Sequence, residues 1–367
     1  MSTQNSRPAP APPTETVAIG TFDDNQKVNP VRRILRTQAF QILLVLLAII
    51  IVFSIIAPDS FAQWTNFRLI IQNASILAVL AVGMTYVIIT AGIDLSVGSV
   101  LVFSGVVAAI VMRALGGEGW GVAIVGIVVA ILSGVCWGLL NGFLIAKAKI
   151  PPLIVTLGSL GMALGLAQIL TGGVDIRDVP TVLTVSIGYG NVFGSVPIIS
   201  VIALVVVAIG AIVLHYTRFG LYTLAVGSSE IAARRVGVKV DAQLIKIYTI
   251  SGALAGLGGI LSLSQFSTTA IAGQSQTNLN VIAAVVIGGT SLFGGVGTIM
   301  GTVVGLFIPA VLQNGFVITG VQPFWQQVAV GAVLITAVYV DQVRRTAATR
   351  GNTQSLWRKF VSGGRRG

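Results

Sequence analysis

The sequence predicts an all-α integral membrane protein with about ten transmembrane helices, and three observations support this fold class. Hydrophobic residues make up 54% of the 367 residues, whereas charged residues make up only 9%. The mean hydropathy is +0.93, and a soluble domain has roughly 25% charged residues. The apolar residues are also gathered in runs of about 20, which is the length of a helix that crosses a bilayer.

The N-terminal 37 residues are predicted to form a disordered cytoplasmic tail, because they are rich in Pro, Thr, Asn and Asp and lack the apolar residues of a core. The first apolar run, 38–57, follows three arginines and superficially resembles a secretory signal. It is long enough to span a bilayer, and no small-x-small cleavage site follows it. We therefore interpret it as an uncleaved first span.

The rest of the predicted transmembrane domain, 38–341, contains nine more apolar segments. They lie at approximately 67–90, 96–115, 120–146, 152–171, 197–215, 244–264, 279–291, 298–318 and 323–341. The segment 279–291 is too short for a full span at about 1.5 Å per residue. We expect a half-helix or a broken helix there.

The distribution of basic residues predicts the orientation. With the N-terminus in the cytoplasm, Arg68, Arg113 and Arg177 face outward, and the remaining 19 of the 22 Lys and Arg face inward. Losing one span would invert every later loop, so this asymmetry supports ten spans and two cytoplasmic termini. The net charge of +11 is then explained by orientation, with the basic tail 342–367 near anionic headgroups, and not by nucleic-acid binding.

The longest polar interval inside the apolar sequence is His215–Gln243, which the ten-span arrangement places in the cytoplasm as the loop 216–243. It contains an N-cap, an anion for the first turn, two cations for the last turn and a C-cap glycine, in that order: Ser228, Glu230, Arg234, Arg235 and Gly237. A helix of about two turns is marginal in water on its own. We infer that a partner protein supplies part of the surface that stabilises it.

The stretch Ala81–Ser99 ends one span and begins the next, with Asp94 and Ser96 in the turn. A carboxylate at membrane depth is costly unless it lies at a boundary, in a wet cavity or beside hydrogen-bond donors. Two interpretations are open. Asp94 either caps the third span by accepting from the backbone N–H of Ser96 or Val97, or it takes a direct part in gating or transport.

The run Ile287–Gly301 is rich in glycine, with five glycines at 288, 289, 294, 295 and 297 before the one that ends it. Such backbone can break a helix or reverse at membrane depth, and broken segments of transporters often line the substrate site. No Walker-type lysine follows it, so the chain has no phosphate-binding loop of its own.

Polar side chains inside the spans are few, and neutral amides can bind hydroxyl-rich solutes without burying a charge. Helix packing is the alternative role for each amide. Together with the two stretches above, they yield the pathway and gating candidates Asp94, Ser96, Gln72, Asn73, Asn141, Gly288, Gly289, Thr290, Phe293 and Asn314.

Composition also limits the chemistry of the protein. The only cysteine, Cys136, lies in an apolar run, and we expect a buried, inert thiol with no disulfide or metal site. With one histidine, one cysteine and few membrane acids, an intramembrane enzyme is disfavoured. The spans also lack the acids of an ion relay, so a partner that consumes ATP is the expected energy source. A stand-alone secondary transporter or facilitator is the rival class.

Four stretches resemble the ribose and xylose type permeases of bacterial ATP-binding-cassette sugar importers. They are 81–99, 156–173, 225–240 and 283–305, and the resemblance extends over about residues 40–341. The motifs GIDLSVGS and GGTSLFGG within them are typical of the sugar branch. The related branched-chain amino-acid permeases differ at both motifs.

The resemblance implies a dimeric permease subunit of the bacterial inner membrane, with a homodimer expected and a heterodimer left open. It receives a monosaccharide from an extracytoplasmic binding protein and is driven by a cytoplasmic ATPase, which binds ATP and Mg, so that this chain itself holds no cofactor. The family's coupling segment corresponds to Gly227–Val238. The implied coupling residues are Gly227, Ser228, Ser229, Glu230, Ala232, Ala233, Arg234 and Gly237.

The chain departs from the family pattern at two places. Many relatives have an acidic sequence where this chain has Asn278, Leu279 and Asn280, and many have an arginine where Leu164 stands. Both departures remove charge from places near the pathway or the gate. They leave the cargo open between a pentose or hexose and a polyol, a purine, a furanone signal or another small polar solute.

Overall fold

The computed structural model describes residues 38–272, 276–322, 324–325, 327–336, 338–339 and 342–343. The predicted disordered tail 1–37 and nearly all of the basic tail 342–367 lie outside these residues. Within the described part the chain is helical, apart from loops and one small hairpin of β1 (Asn191–Val192) and β2 (Val196–Pro197).

The α-helices of the described residues are α1 (Gln38–Ile56), α2 (Trp64–Ile89), α3 (Val97–Leu115), α4 (Trp120–Ala146), α5 (Pro152–Thr171), α6 (Thr181–Leu183), α7 (Ile198–Tyr216), α8 (Arg218–Ser228), α9 (Glu230–Arg235), α10 (Val240–Phe266), α11 (Thr277–Ile287), α12 (Ile299–Ile318) and α13 (Gln327–Thr336). A short π-helix, Thr184–Gly188, follows α6 directly. Seven of them, α2, α3, α4, α5, α7, α10 and α12, are long and apolar enough to cross a membrane. The other three predicted segments contain shorter apolar helices, which are Phe40–Ile56 within α1, α11 and α13.

Helix α10 lies at the centre of the bundle and packs against α2, α3 and α4. Its interface with α4 is built from small residues. A Cβ atom on Gly134 would lie 2.1 Å from the carbonyl oxygen of Gly252, and one on Gly138 would lie 2.3 Å from that of Tyr248. The two backbones are therefore in contact, as in other small-residue interfaces of membrane helices.

The same interface overturns the prediction for Cys136, which is exposed and not buried. Gly134 and Gly138 face α10, and a residue two positions away in a helix points to nearly the opposite side. The thiol therefore lies on the outward face of α4.

The predicted short helix is present as α9, but its N-cap is Ser229 and not Ser228. The Ser229 hydroxyl accepts from the Ala232 N–H at 3.2 Å. Ser228 is instead the last residue of α8, and its hydroxyl donates to the Leu224 carbonyl at 2.9 Å. Ser229 has extended backbone, with φ −165° and ψ 108°, so the second helix begins only after it.

The charges of α9 are placed as predicted. Glu230 is in the first turn, and Arg234 and Arg235 are in the last turn. Gly237 has φ +87°, the left-handed conformation expected just beyond a helix C-terminus.

The predicted break is also confirmed, because α11 has only 11 residues and ends before the glycine-rich loop 288–298. Gly289, Gly294 and Gly295 have φ values of +92°, +82° and +78° in this loop, which non-glycine residues rarely adopt. Helix α12 then begins with its own cap, since the Thr298 hydroxyl accepts from the Gly301 N–H at 3.0 Å.

Candidate functional site

Three of the candidate stretches meet at one end of the bundle, which we call the α9 end. The Gly295 N–H donates to the Ile89 carbonyl oxygen at 2.8 Å. A Cβ atom on Gly227 would lie 1.7 Å from that same oxygen. The glycine-rich loop, the end of α2 and the chain leading into α9 are thus in backbone contact.

Asp94 is buried in this region, with 2% of its surface exposed. Its Oδ1 accepts from the Ser96 N–H at 2.9 Å and from the Ser96 hydroxyl at 2.6 Å. Its Oδ2 accepts from the Ser251 hydroxyl of α10 at 3.0 Å. The carboxylate therefore accepts from the Ser96 backbone, as the capping interpretation predicted, and it also joins the start of α3 to α10.

The hydrogen bonds continue from Ser96 into α4 and α5. The Asn141 Nδ2 donates to the Ser96 hydroxyl at 3.0 Å, and the Ser159 hydroxyl donates to the Asn141 Oδ1. We call Asp94, Ser96, Ser251, Asn141 and Ser159 the Asp94 network, and all five are buried. Ser159 and Ser251 were missed from the sequence, because nothing distinguishes them there from serines that only fill helix interfaces.

Asn278, one of the departures from the family pattern, stabilises the start of α3. Its Oδ1 accepts from the Gly98 N–H at 2.6 Å. The first N–H groups of a helix have no partner within the helix. A neutral amide therefore meets this need in a buried position, without bringing a charge into the bundle.

The other amide candidates do not join the Asp94 network. Gln72 donates to the Gly188 carbonyl at 2.9 Å, and Gln265 donates to the Asn73 Oδ1 at 2.7 Å. Asn314 donates to the Asn66 Oδ1 at 2.8 Å. Each makes a contact between segments, which is the packing role left open for these amides.

The four candidates of the glycine-rich loop lie together near the end of α2. Gly288 is in close contact with α12, since a Cβ atom on it would lie 2.6 Å from the carbonyl carbon of Gly301. Thr290 is buried, and its hydroxyl has no hydrogen-bond partner among the described residues, whereas Phe293 and Gly289 are more accessible. This loop therefore belongs to the α9 end.

An ion cluster connects α9 to its neighbours, and we call it the α9 ion cluster. Arg234 donates to the Glu230 Oε1 at 2.9 Å and also to the Asp241 Oδ1. Lys149 lies 3.0 Å from Asp241 Oδ1, and Lys147 lies 3.4 Å from Asp241 Oδ2. The hydrogen bonds from Arg234 to Asp241 and Glu230 raise the pKa of the guanidinium. A single exposed ion pair contributes little to the stability of a protein. This group of ion pairs, however, joins three segments: α9, the α4–α5 connection and α10.

Helix α9 leaves apolar side chains uncovered. Ala233 is buried beside Val226 and Val240. Ile231 and Val236 are 69% and 78% exposed. The Ala233 side of α9 is therefore docked on the chain, while Ile231 on the opposite side and Val236 just beyond the last residue of α9 present apolar surface.

A cleft of about 390 Å³ lies at the same end. Its walls come from the turn after α2, the α4–α5 connection, the α8–α9 junction and α10: Thr90, Ala91, Gly92, Ile145, Lys149, Ile150, Pro151, Pro152, Val226, Gly227, Glu230, Leu244 and Tyr248. Among the described residues, no group of three or more His, Cys, Asp or Glu could hold a metal ion.

Comparison with known proteins identifies a family for this bundle. The chain is 35% identical to the ribose import permease protein of Escherichia coli, covering 83% of this chain and 93% of that protein. It is 34% identical to an autoinducer 2 import system permease protein of Yersinia enterocolitica, with 86% and 87% covered. It is 33% identical to the fructose import permease protein of Rhizobium meliloti, with 83% and 86% covered.

No solved structure matched the chain. The family model described as branched-chain amino acid transport system / permease component matches residues 66–338. With this match and these relatives, the chain belongs to that permease family.

Proposed function

We propose that this chain is the membrane-spanning permease subunit of an ATP-driven importer in the bacterial inner membrane, and that its cargo is a monosaccharide. The observation that carries the coupling part of this proposal is α9, a six-residue helix with a docked face and an exposed apolar face. So short a helix is marginal without a docking surface. A cytoplasmic ATPase would cover Ile231 and Val236.

The proposed topology has ten spans with both termini in the cytoplasm, within a transmembrane domain 38–341 between two tails. It rests on the basic residues. Lys147, Lys149, Arg234 and Arg235 gather at the α9 end, whereas Arg68 hydrogen-bonds Asn191 at the opposite end. The α9 end then faces the cytoplasm, in keeping with the rule that loops rich in Lys and Arg stay inside.

The contacts of α9 suggest how a motion of the ATPase reaches the bundle. The α9 ion cluster transmits it to the α4–α5 connection, and the backbone contact of Gly227 transmits it to the end of α2 and to the glycine-rich loop. The Asp94 network lies just beyond these segments. ATP shifts the balance between two conformations only if α9 makes different contacts in each, so some of these contacts must break during transport.

The dimer is proposed to form through α5, which is the least buried of the seven long apolar helices. Gly158, Gly161 and Gly165 lie on it, and a Cβ atom on any of them would meet nothing within 4 Å. Small residues let membrane helices approach closely. A second copy packed on this face would place a pathway between the two subunits, and an extracytoplasmic binding protein would deliver the cargo at the far end.

The cargo is proposed to be neutral and hydroxylated. The three named relatives import ribose, autoinducer 2 and fructose. This chain has an amide at Asn278 and an apolar side chain at Leu164, two positions at which the family resemblance implies a charge in many relatives. Uncharged hydrogen-bonding groups suit a sugar better than an ionic solute.

The test is ATP-dependent uptake of labelled sugars by proteoliposomes that contain this chain, the candidate ATPase and the binding protein. We expect uptake to require all three, and Glu230→Arg to abolish both uptake and ATPase binding, because it reverses the charge that pairs with Arg234. Asp178→Arg, in an exposed loop at the opposite end, is the matched control and should bind ATPase normally. Uptake by this chain alone would establish a facilitator instead.

A further inference from the structure

The cleft at the α9 end has the size and the lining of a small-molecule site. Its volume of about 390 Å³ falls within the roughly 300–1,000 Å³ of ligand pockets. Its lining mixes apolar side chains such as Ile145 and Leu244 with Tyr248 and two charged residues at the rim. It is bounded by Pro152, where α5 begins, and by Gly227, where the coupling segment begins.

Tyr248 contributes an unusual group to this cleft. The side chain is 1% exposed, yet its hydroxyl has no hydrogen-bond partner within the part of the chain that the structure describes. Buried hydroxyls are nearly always hydrogen-bonded, because losing water without gaining another partner is costly. An unpaired donor beside a cleft therefore indicates a partner that binds there for only part of the time.

The space next to this hydroxyl is kept open by a glycine. A Cβ atom on Gly92 would lie 2.5 Å from the Tyr248 hydroxyl oxygen. Any other residue at position 92 would crowd the hydroxyl. Gly92, which also lines the cleft, thus leaves room beside the hydroxyl.

The charges at the rim of the cleft are already paired. Lys149 forms an ion pair with Asp241, and Glu230 forms one with Arg234. A ligand would therefore meet the uncharged Tyr248 side chain and walls of mixed polar and apolar surface, with the two charges balanced by their neighbours. This favours an uncharged, hydroxyl-bearing molecule over an anion or a cation.

We propose that the cleft is an exit subsite, in which the solute hydrogen-bonds the Tyr248 hydroxyl as it leaves the membrane path for the cytoplasm. The inference rests on the proposed function, because that function supplies the solute and the direction. Gly227 and Glu230 belong to both the cleft wall and the coupling segment. Movement of α9 would then change the cleft and release the solute, which needs only a weak, transient site.

The first test is Tyr248→Phe, which keeps the ring and removes only the unpaired hydroxyl. We expect unchanged thermal stability, unchanged ATPase binding and an uptake of D-ribose or D-fructose, whichever the wild type transports, that falls by roughly three- to tenfold for the loss of one hydrogen bond. The matched control is Tyr86→Phe. The Tyr86 hydroxyl donates to the Gly210 carbonyl at 2.6 Å, so this variant should lose stability and leave uptake per folded protein unchanged.

The second test measures occupancy without transport. In a Cys136→Ser background, Leu244→Cys places a thiol in the cleft wall, and Val236→Cys places one at an exposed position just after α9. We expect saturating D-ribose or D-fructose to slow labelling of position 244 by a charged thiol reagent about threefold, and to leave labelling of position 236 unchanged.

Two outcomes overturn the subsite. One is wild-type uptake by Tyr248→Phe, and the other is a loss of uptake that accompanies a loss of ATPase binding, which would make Tyr248 a structural residue of the coupling segment. A different result is expected if the exit subsite exists but the proposed import function is wrong. In that case the wild type itself shows no ATP-dependent uptake, while protection of position 244 by sugar is still measurable.

Discussion

At the scale of single residues, the Asp94 network shows how a carboxylate is accommodated inside an apolar bundle. The two oxygens of Asp94 accept three hydrogen bonds from Ser96 and Ser251. A buried carboxylate is tolerated when its lone pairs are satisfied in this way. One set of bonds thus holds Ser96, the N-cap residue of α3, and joins it to Ser251 of α10.

The coupling of Asp94 to Ser251 can be measured with a double-mutant cycle. Ser251→Ala leaves the Asp94 Oδ2 without its donor, and we expect a loss of about 1–3 kcal/mol in the free energy of unfolding. The double variant with Asp94→Asn should cost clearly less than the sum of the two single changes. Denaturant unfolding in detergent micelles is the measurement.

The control for this cycle is another buried serine of α10. The Ser264 hydroxyl donates only to the Ile260 carbonyl of its own helix, at 2.7 Å. Ser264→Ala should therefore show no coupling with Asp94→Asn. If the double variant instead loses the sum of the two single costs, Ser251→Ala and Asp94→Asn act independently, and the hydrogen bond between Ser251 and Asp94 does not contribute to stability.

At the scale of elements, the loop between α5 and α7 is held to the bundle by a few polar contacts. The Glu118 Oε2 accepts from the Thr181 N–H at 2.5 Å and from the Thr181 hydroxyl at 2.8 Å. These bonds, the backbone N–H first, lower the pKa of Glu118 below its usual value of 4.5. The carboxylate thereby ties the short helix α6 to the start of α4.

This contact predicts a pH dependence of the loop. Because the pKa is lower in the folded state, the stabilisation is fully present above pH 4.5 and is lost as the pH falls through the lower folded value. In a Cys136→Ser background, a spin label on Val185→Cys, an exposed site beside α6, should gain mobility in that acidic range.

Glu118→Gln provides the comparison, because a glutamine has no charge to lose. In this variant the mobility of the label should not change over the same pH range. An identical acid transition in both proteins would assign the titration to another group.

At the scale of the whole molecule, two glycine-containing helices have opposite environments. On α4, Gly134 and Gly138 lie against the backbone of α10. On α5, a Cβ atom added to Gly161 would have no neighbouring atom within 4 Å. The first set stabilises the fold of one chain. The second leaves a close-approach surface that the proposed dimer would use.

Leucine substitutions separate these two roles. Gly138→Leu places a side chain where a backbone carbonyl lies 2.3 Å away, so we expect a loss of more than about 3 kcal/mol or no folded protein. Gly161→Leu should keep the unfolding transition of the single chain and lower the fraction of dimer. Denaturant unfolding in detergent micelles measures the stability, and native mass spectrometry measures the fraction of dimer. An intact dimer in Gly161→Leu would exclude this face of α5 as the interface.

Much of the architecture followed from local sequence. The ten apolar segments all contain helix among the described residues, α9 has the predicted charges, and the glycine-rich loop interrupts the helices between α11 and α12. The capping residue of α9 was wrong by one position, because α8 continues through Ser228. Nothing in the sequence around Arg218–Ser228 indicated where that helix would end.

The sequence by itself determined the membrane class, the positions of the apolar helices and the charged ends of α9, because composition, run length and capping are properties of neighbouring residues. Only the tertiary structure decided that Asp94 meets Ser251 and Asn141, that Cys136 is exposed and that the Tyr248 hydroxyl is unpaired. These facts depend on the rotation of each helix about its axis. Glycine contacts such as those between α4 and α10 set that rotation, and they join residues far apart in the chain.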